Sequence, residues 1–155
     1  MTAATQLDQT HHFILETFVE RGYAPHHTEI ARRFGVQPDE GKRLLHDLMN
    51  TGLPLWVYPG TDLIASFAPF NNLPNQYRIS VDGRQGWFGQ CGIESLALCW
   101  LFPGKSVQIE SPCLDCGGPM RIVVRDGVIV SRDPEEIVIY VDIPIGQWSK
   151  DWPFT

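Results

Sequence analysis

The chain has 155 residues, 43% of them hydrophobic and 19% charged, with eight Phe and five Trp; this is a globular composition with enough apolar material for its own core. A net charge of −6 argues against a broad polyanion-binding surface. No apolar run reaches the roughly 18 residues of a membrane span, and the start MTAATQLDQT lacks a signal-peptide core, so a cytoplasmic protein with no membrane partner is expected.

The first predicted helix runs from Phe13 to Arg21 and stops at Gly22. Thr28 is a good N-cap for a second helix, TEIARRFG, and a third runs from Asp39 to Asn50 with Leu44, Leu45, Leu48 and Met49 on one side. The segment LPLWVYPGTDLIASF then reads as two short strands broken at Pro59-Gly60. Helix, turn, helix and hairpin make a winged-helix-like subdomain over residues 1–68. Between Thr28 and Asn50, Arg32, Arg33, Lys42 and Arg43 are balanced by Glu29, Asp39, Glu40 and Asp47, and a neutral recognition helix is a weak ligand for nucleic acid.

Residues 69–76 are rich in Pro and Asn and read as a connector. From Tyr77 the pattern turns to β: YRISVDGRQGWF around Asp82-Gly83, then SVQIES, MRIVVRDGVIVS around Asp126-Gly127, and EEIVIYVDIPI as a closing strand. One helix, near Ile93 to Leu101, interrupts them. The expected class is α+β: a helical N-terminal part, then a mixed, mainly antiparallel β part over residues 77–155 with one central helix.

That helix carries FGQCGIESLALCWLFP, in which Cys91 is followed three residues later by Glu94. At 100° per residue, Ile93, Leu96, Ala97, Trp100 and Leu101 share the expected core face, while Cys91, Glu94, Ser95 and Leu98 fall opposite. Cys99 reads as a small core hydrophobe. A carboxylate one turn from a thiol lets a proton be held between them, which suits proton delivery; a buried Cys beside a solvated Glu is the plainer alternative. In SPCLDCGGPM, Cys113-x-x-Cys116 resembles half a zinc knuckle, with zinc a candidate occupant, although a closed site needs four ligands. A redox pair or a soft-metal trap are the other readings of this motif. His11, His12, His26, His27 and His46 all lie in the first half, with His26-His27 expected on a solvated loop.

Taken together, these segments resemble the organomercurial (alkylmercury) lyase family over residues 10–130, best from Tyr77 to Val124. The resemblance rests on YRISVDGRQGWFGQCGIESLALCWLFP and VQIESPCLDCGGPMRIVV. It implies protonolysis of a carbon–mercury bond with no organic cofactor, mercury arriving as the substrate's metal and low-molecular-weight thiols as partners. Thiolates bind the soft metal and a carboxylic acid protonates the departing carbon. Position by position, Cys91 matches the family's first catalytic cysteine, Glu94 its catalytic aspartate and Cys113 a structural cysteine. Glu94 is one methylene longer than Asp, a displacement of more than about 1 Å that bears on where the proton is delivered. The family's second catalytic cysteine, near the C-terminus, has no counterpart in IVIYVDIPIGQWSKDWPFT, and the chain is shorter than is usual for the family. Cys116, or Cys113, is therefore the expected second sulfur. Two rival functions accompany this reading: a thiol metal-binding or metal-sensing protein using Cys91, Cys113 and Cys116 without turnover, and a winged-helix transcription regulator.

Overall fold

A computed structural model describes residues 5–150. They fall into two compact units, residues 5–67 with 143–150, and Ala68–Asp142. The class is α+β, as the sequence predicts.

The first unit holds α1 (Gln6–Arg21), α2 (His27–Phe34), α3 (Pro38–Met49) and the antiparallel pair β1 (Leu55–Val57) and β2 (Ile64–Phe67). Helix α1 starts two turns before the predicted Phe13 because Thr5 and Asp8 form a capping box. The Asp8 carboxylate accepts from the Thr5 amide at 2.9 Å, and the Thr5 hydroxyl accepts from the Asp8 amide at 3.2 Å. Its buried side includes Ile14 and Phe18, and the helix stops at Gly22. The cap of α2 is His26 in place of Thr28, with the His26 ring accepting from the Thr28 amide at 3.3 Å. Glu29 completes this cap by accepting from the His26 amide at 2.9 Å and is clamped by Arg21 at 2.8 and 2.9 Å. On α3, Arg43 pairs with Glu40 and Asp47, and Lys42 with Asp62. A short 3₁₀ turn spans Ile145–Lys150.

The second unit is built on antiparallel strands in the order β3 (Phe70–Asn71), β5 (Arg84–Gly89), β4 (Arg78–Val81), β6 (Val107–Pro112), β7 (Pro119–Arg125), β8 (Val128–Asp133). Both Asp-Gly turns form as predicted, with Asp82 and Gly83 at φ 47° and 82°, and Asp126 and Gly127 at 47° and 81°. Two successive left-handed residues match the twist of the flanking strands, which is why Asp-Gly directs hairpins here. The two aspartates also tie down the loop before β6: Asp126 accepts from the Gly104 amide at 2.7 Å and Asp82 from the Ser106 amide at 3.0 Å. The core of this unit gathers Ile79, Val81, Trp87, Leu98, Cys99, Phe102, Val107, Ile109 and Val124, with the Trp87 and Phe102 rings edge to face at 4.9 Å.

The predicted closing strand EEIVIYVDIPI does not form. Residues 136–144 form no strand and make no ladder bonds, and Val138, Ile139, Tyr140 and Val141 are exposed. Alternation of apolar residues signals a strand only where another strand supplies partners, and Pro134 and Pro144 bracket this run with residues that donate no backbone hydrogen bond. The tail beyond Lys150 lies outside the described residues. Among the described residues no helix is long and apolar enough to cross a membrane.

Candidate active site

The candidate residues sit at two places in the second unit. The first is the junction of β5 with α4 (Gly92–Ala97), which continues as a 3₁₀ helix over Leu98–Leu101. Three bonds pin the junction: the Gly89 amide donates to Tyr77 O at 2.9 Å, the Gln90 amide to Pro69 O at 2.9 Å, and the Asn75 side-chain amide to Gly89 O at 2.8 Å. Asn75 also accepts from the Tyr77 amide at 2.9 Å. Gly89 lies so close to the helix that a Cβ there would stand 1.9 Å from Ser95 Oγ and 3.1 Å from Ser95 Cβ. The buried Ser95 hydroxyl in turn donates to Cys91 O at 2.6 Å.

The helical face expected to be core is the exposed one. Ile93 is 42% and Trp100 68% exposed, whereas Ser95, Leu98, Cys99 and Phe102 are buried. The projection fails already within the α-helical residues, where Ile93 and Ala97 are exposed and Ser95 is buried, because the side of α4 that packs inward is the one where Ser95 closes on Gly89, a contact that apolar spacing does not register. Trp100 covers Gly127 in the β7–β8 turn, where its ring atoms would be 2.3 Å from a Cβ. The expected burial of Cys99 holds, at 2% exposure.

Cys91 and Glu94 are consequently half-buried together. Cys91 is the N-cap of α4, with extended backbone, and its sulfur accepts from the Glu94 amide at 3.4 Å. Its thiol also hydrogen-bonds the Glu94 carboxyl. Burial pushes the Cys91 thiol above its usual range, and the nearby Glu94 charge adds to this, while the amides of Glu94 and Ile93 pull the other way. Burial likewise pushes the Glu94 carboxyl up, partly offset by its bond from the thiol. Each group therefore favours its protonated form, so the pair is suited to hold and hand over a proton.

The second place is the Cys113–Cys116 loop between β6 and β7. The Cys113 amide donates to Gly118 O at 2.7 Å and the Gly117 amide to Cys113 O at 2.9 Å, closing a knuckle. The Cys113 sulfur accepts from the amides of Cys116 and Asp115 and from the Cys116 thiol, which together draw its pKa below the usual thiol range. Both cysteines are free thiols, Cys113 partly buried and Cys116 exposed.

Among the described residues no three His, Cys, Asp or Glu side chains converge as a metal site. Neither Cys91, Glu94 and Cys116 nor Cys91, Cys113 and Cys116 are gathered as such a group. The donor set also does not fit a closed zinc site, since the loop offers two of the four ligands such a site takes. The sequence reading missed the positioning roles of Ser95 and Asn75. Ser95 falls on the face opposite the expected core, and Asn75 within the Pro- and Asn-rich connector. The signal available was Gly89, whose missing side chain implies close approach of another element.

Comparison with known proteins places these residues in a family. The alkylmercury lyase family profile matches residues 70–153, just over half of the chain. The alkylmercury lyases of Bacillus cereus and Clostridium butyricum are each 36% identical over 75 residues, and that of Staphylococcus epidermidis 32% over the same length. Each alignment covers 46% of this chain and 32% of the relative, so the matched segment spans about a third of those enzymes. A solved structure, the mercury-bound form of MerB2, superimposes with a TM-score of 0.60 at 20% identity, covering 85% of this chain and 69% of that one, a likeness of fold. With its junction cysteine, adjacent acid and surrounding antiparallel strands all inside the matched region, the chain belongs to the alkylmercury lyase family.

Proposed function

We propose that the protein cleaves carbon–mercury bonds of small organomercurials by protonolysis, with Cys91 and Glu94 at the reacting bond. The observation that carries the reading is the hydrogen-bonded, half-buried thiol–carboxyl pair. In the first step Cys91 sulfur displaces the anion bound to mercury and its proton passes to the Glu94 carboxylate. A low-molecular-weight thiolate takes a second position on the metal; the reading gives it this role because Cys116 is not grouped with Cys91 and Glu94. The Glu94 carboxylic acid then protonates the mercury-bound carbon. The carbon–mercury electron pair becomes the new carbon–hydrogen bond, and mercury remains as Hg(II) on sulfur. Burial of Glu94 favours this sequence, since a carboxyl with a raised pKa holds the intermediate proton more readily than a solvated one.

The test is hydrocarbon release from a phenylmercury salt in excess thiol and deuterated water. Benzene carrying one deuterium, formed by the parent protein above the level of Cys91→Ser, is expected. Mercury retained with no benzene would instead support thiol metal binding without turnover, a reading favoured by the free CxxC loop.

A further inference from the structure

The Cys113–Cys116 knuckle takes no part in the proton transfer just described, yet its construction is that of a ligand holder. Two free thiols sit three residues apart on one tight loop, and Cys116 is exposed. The Cys116 thiol hydrogen-bonds the Cys113 sulfur, so the sulfurs are neighbours before any ion arrives. The turn is fixed by its own backbone bonds, Cys113 N to Gly118 O and Gly117 N to Cys113 O, and by Gly117 at φ 73°. No other His, Cys, Asp or Glu among the described residues joins it to make three ligands. A two-sulfur set without further ligands excludes the tetrahedral demand of zinc and suits a soft ion that takes two thiolates in line.

We infer that Cys113 and Cys116 form a two-thiolate site for a soft, linearly coordinating cation, and that it receives the mercuric ion left at Cys91 after carbon–mercury cleavage. Transfer is a thiolate exchange: as the two loop sulfurs bond to Hg(II), the bonds from mercury to Cys91 and to the small thiol break, and the two protons given up by the loop thiols return to those two sulfurs, without oxidation or reduction. Because both sulfurs belong to one loop, the second bond forms intramolecularly, which favours the pair over two separate thiols from solution. The inference rests on the proposed lyase reading only for the source of the ion; the site itself is tested with inorganic mercury.

Reduced protein is loaded with mercuric chloride, challenged with excess monothiol such as glutathione, and assayed for retained mercury. About one equivalent should remain on the parent and on Cys91→Ser, and retention should fall roughly 100-fold in Cys113→Ser/Cys116→Ser. Alkylation of the loaded parent followed by peptide mapping needs no variant: Cys113 and Cys116 should be protected and Cys91 modified. Protection of Cys91 with modification of the loop cysteines, or retention unchanged in the double variant, would overturn the site. A lyase that releases hydrocarbon yet retains no mercuric chloride would overturn the loop alone; retention without hydrocarbon would leave the loop standing and remove the source proposed for its ion.

Discussion

At Cys91 the thiol and the Glu94 carboxyl compete for one proton in a half-buried setting, and both pKa values are raised, chiefly by burial. Replacing Glu94 with Gln removes the negative charge that helps to push the thiol up, so the Cys91 pKa should fall. Iodoacetamide should then modify Cys91 about threefold or more faster near pH 8 in Glu94→Gln than in the parent. An equal or slower rate would mean that the carboxylate does not influence the thiol. Glu94→Asp shortens the acid by one methylene to the residue type the family resemblance implies, and should retain hydrocarbon release if the carboxyl still reaches the carbon. The identity of this pair was legible in the sequence, from spacing and from the family resemblance. Its burial was not, because the inward side of α4 is set by the close approach of Ser95 to Gly89, which a projection of apolar residues does not register.

At the scale of elements, the strand-to-helix junction depends on Gly89. Ala at this position would drive a methyl into Ser95, whose backbone and hydroxyl anchor the first turn of α4. Gly89→Ala should cost about 2–3 kcal/mol in urea unfolding and slow hydrocarbon release, since the displaced turn carries Cys91 and Glu94. In the first unit, the Arg21 guanidinium holds Glu29 down from the ordinary 4.5 to about 2. A depressed carboxyl contributes stability above its unfolded pKa and loses it as pH falls through the folded one. Glu29→Gln should therefore lower stability at pH 7 by roughly 1 kcal/mol, discounted for partial exposure, and flatten the pH dependence between 4.5 and 2. Thermal melts across that range measure both effects. The capping box at Thr5 and the His26 cap were readable only as local polar chemistry. Without apolar spacing in QLDQTHH, the periodicity that revealed Phe13–Arg21 had nothing to extend.

At the scale of the whole molecule, apolar pattern and Asp-Gly turns were sufficient to predict the α+β class and the β4–β5 and β7–β8 hairpins. They were not sufficient for the run Glu135–Ile145, whose alternation is strand-like but which lacks a partner strand among the described residues. The last two strands of the antiparallel order differ in burial. Val124 on β7 is 3% exposed and Val130 on β8 is 57% exposed. Val124→Ala should destabilise by about 1–3 kcal/mol and Val130→Ala by less than about 0.5 kcal/mol, measured by chemical denaturation. The chemistry assigned to the molecule rests on a smaller feature than its fold, the proton exchange between Cys91 and Glu94. Its most direct test is single-turnover benzene release from a phenylmercury salt by the parent, Cys91→Ser and Glu94→Gln under identical excess thiol. The account predicts release by the parent, none above background for Cys91→Ser, and a rate at least about 100-fold lower for Glu94→Gln. Equal release by the parent and Glu94→Gln would contradict it.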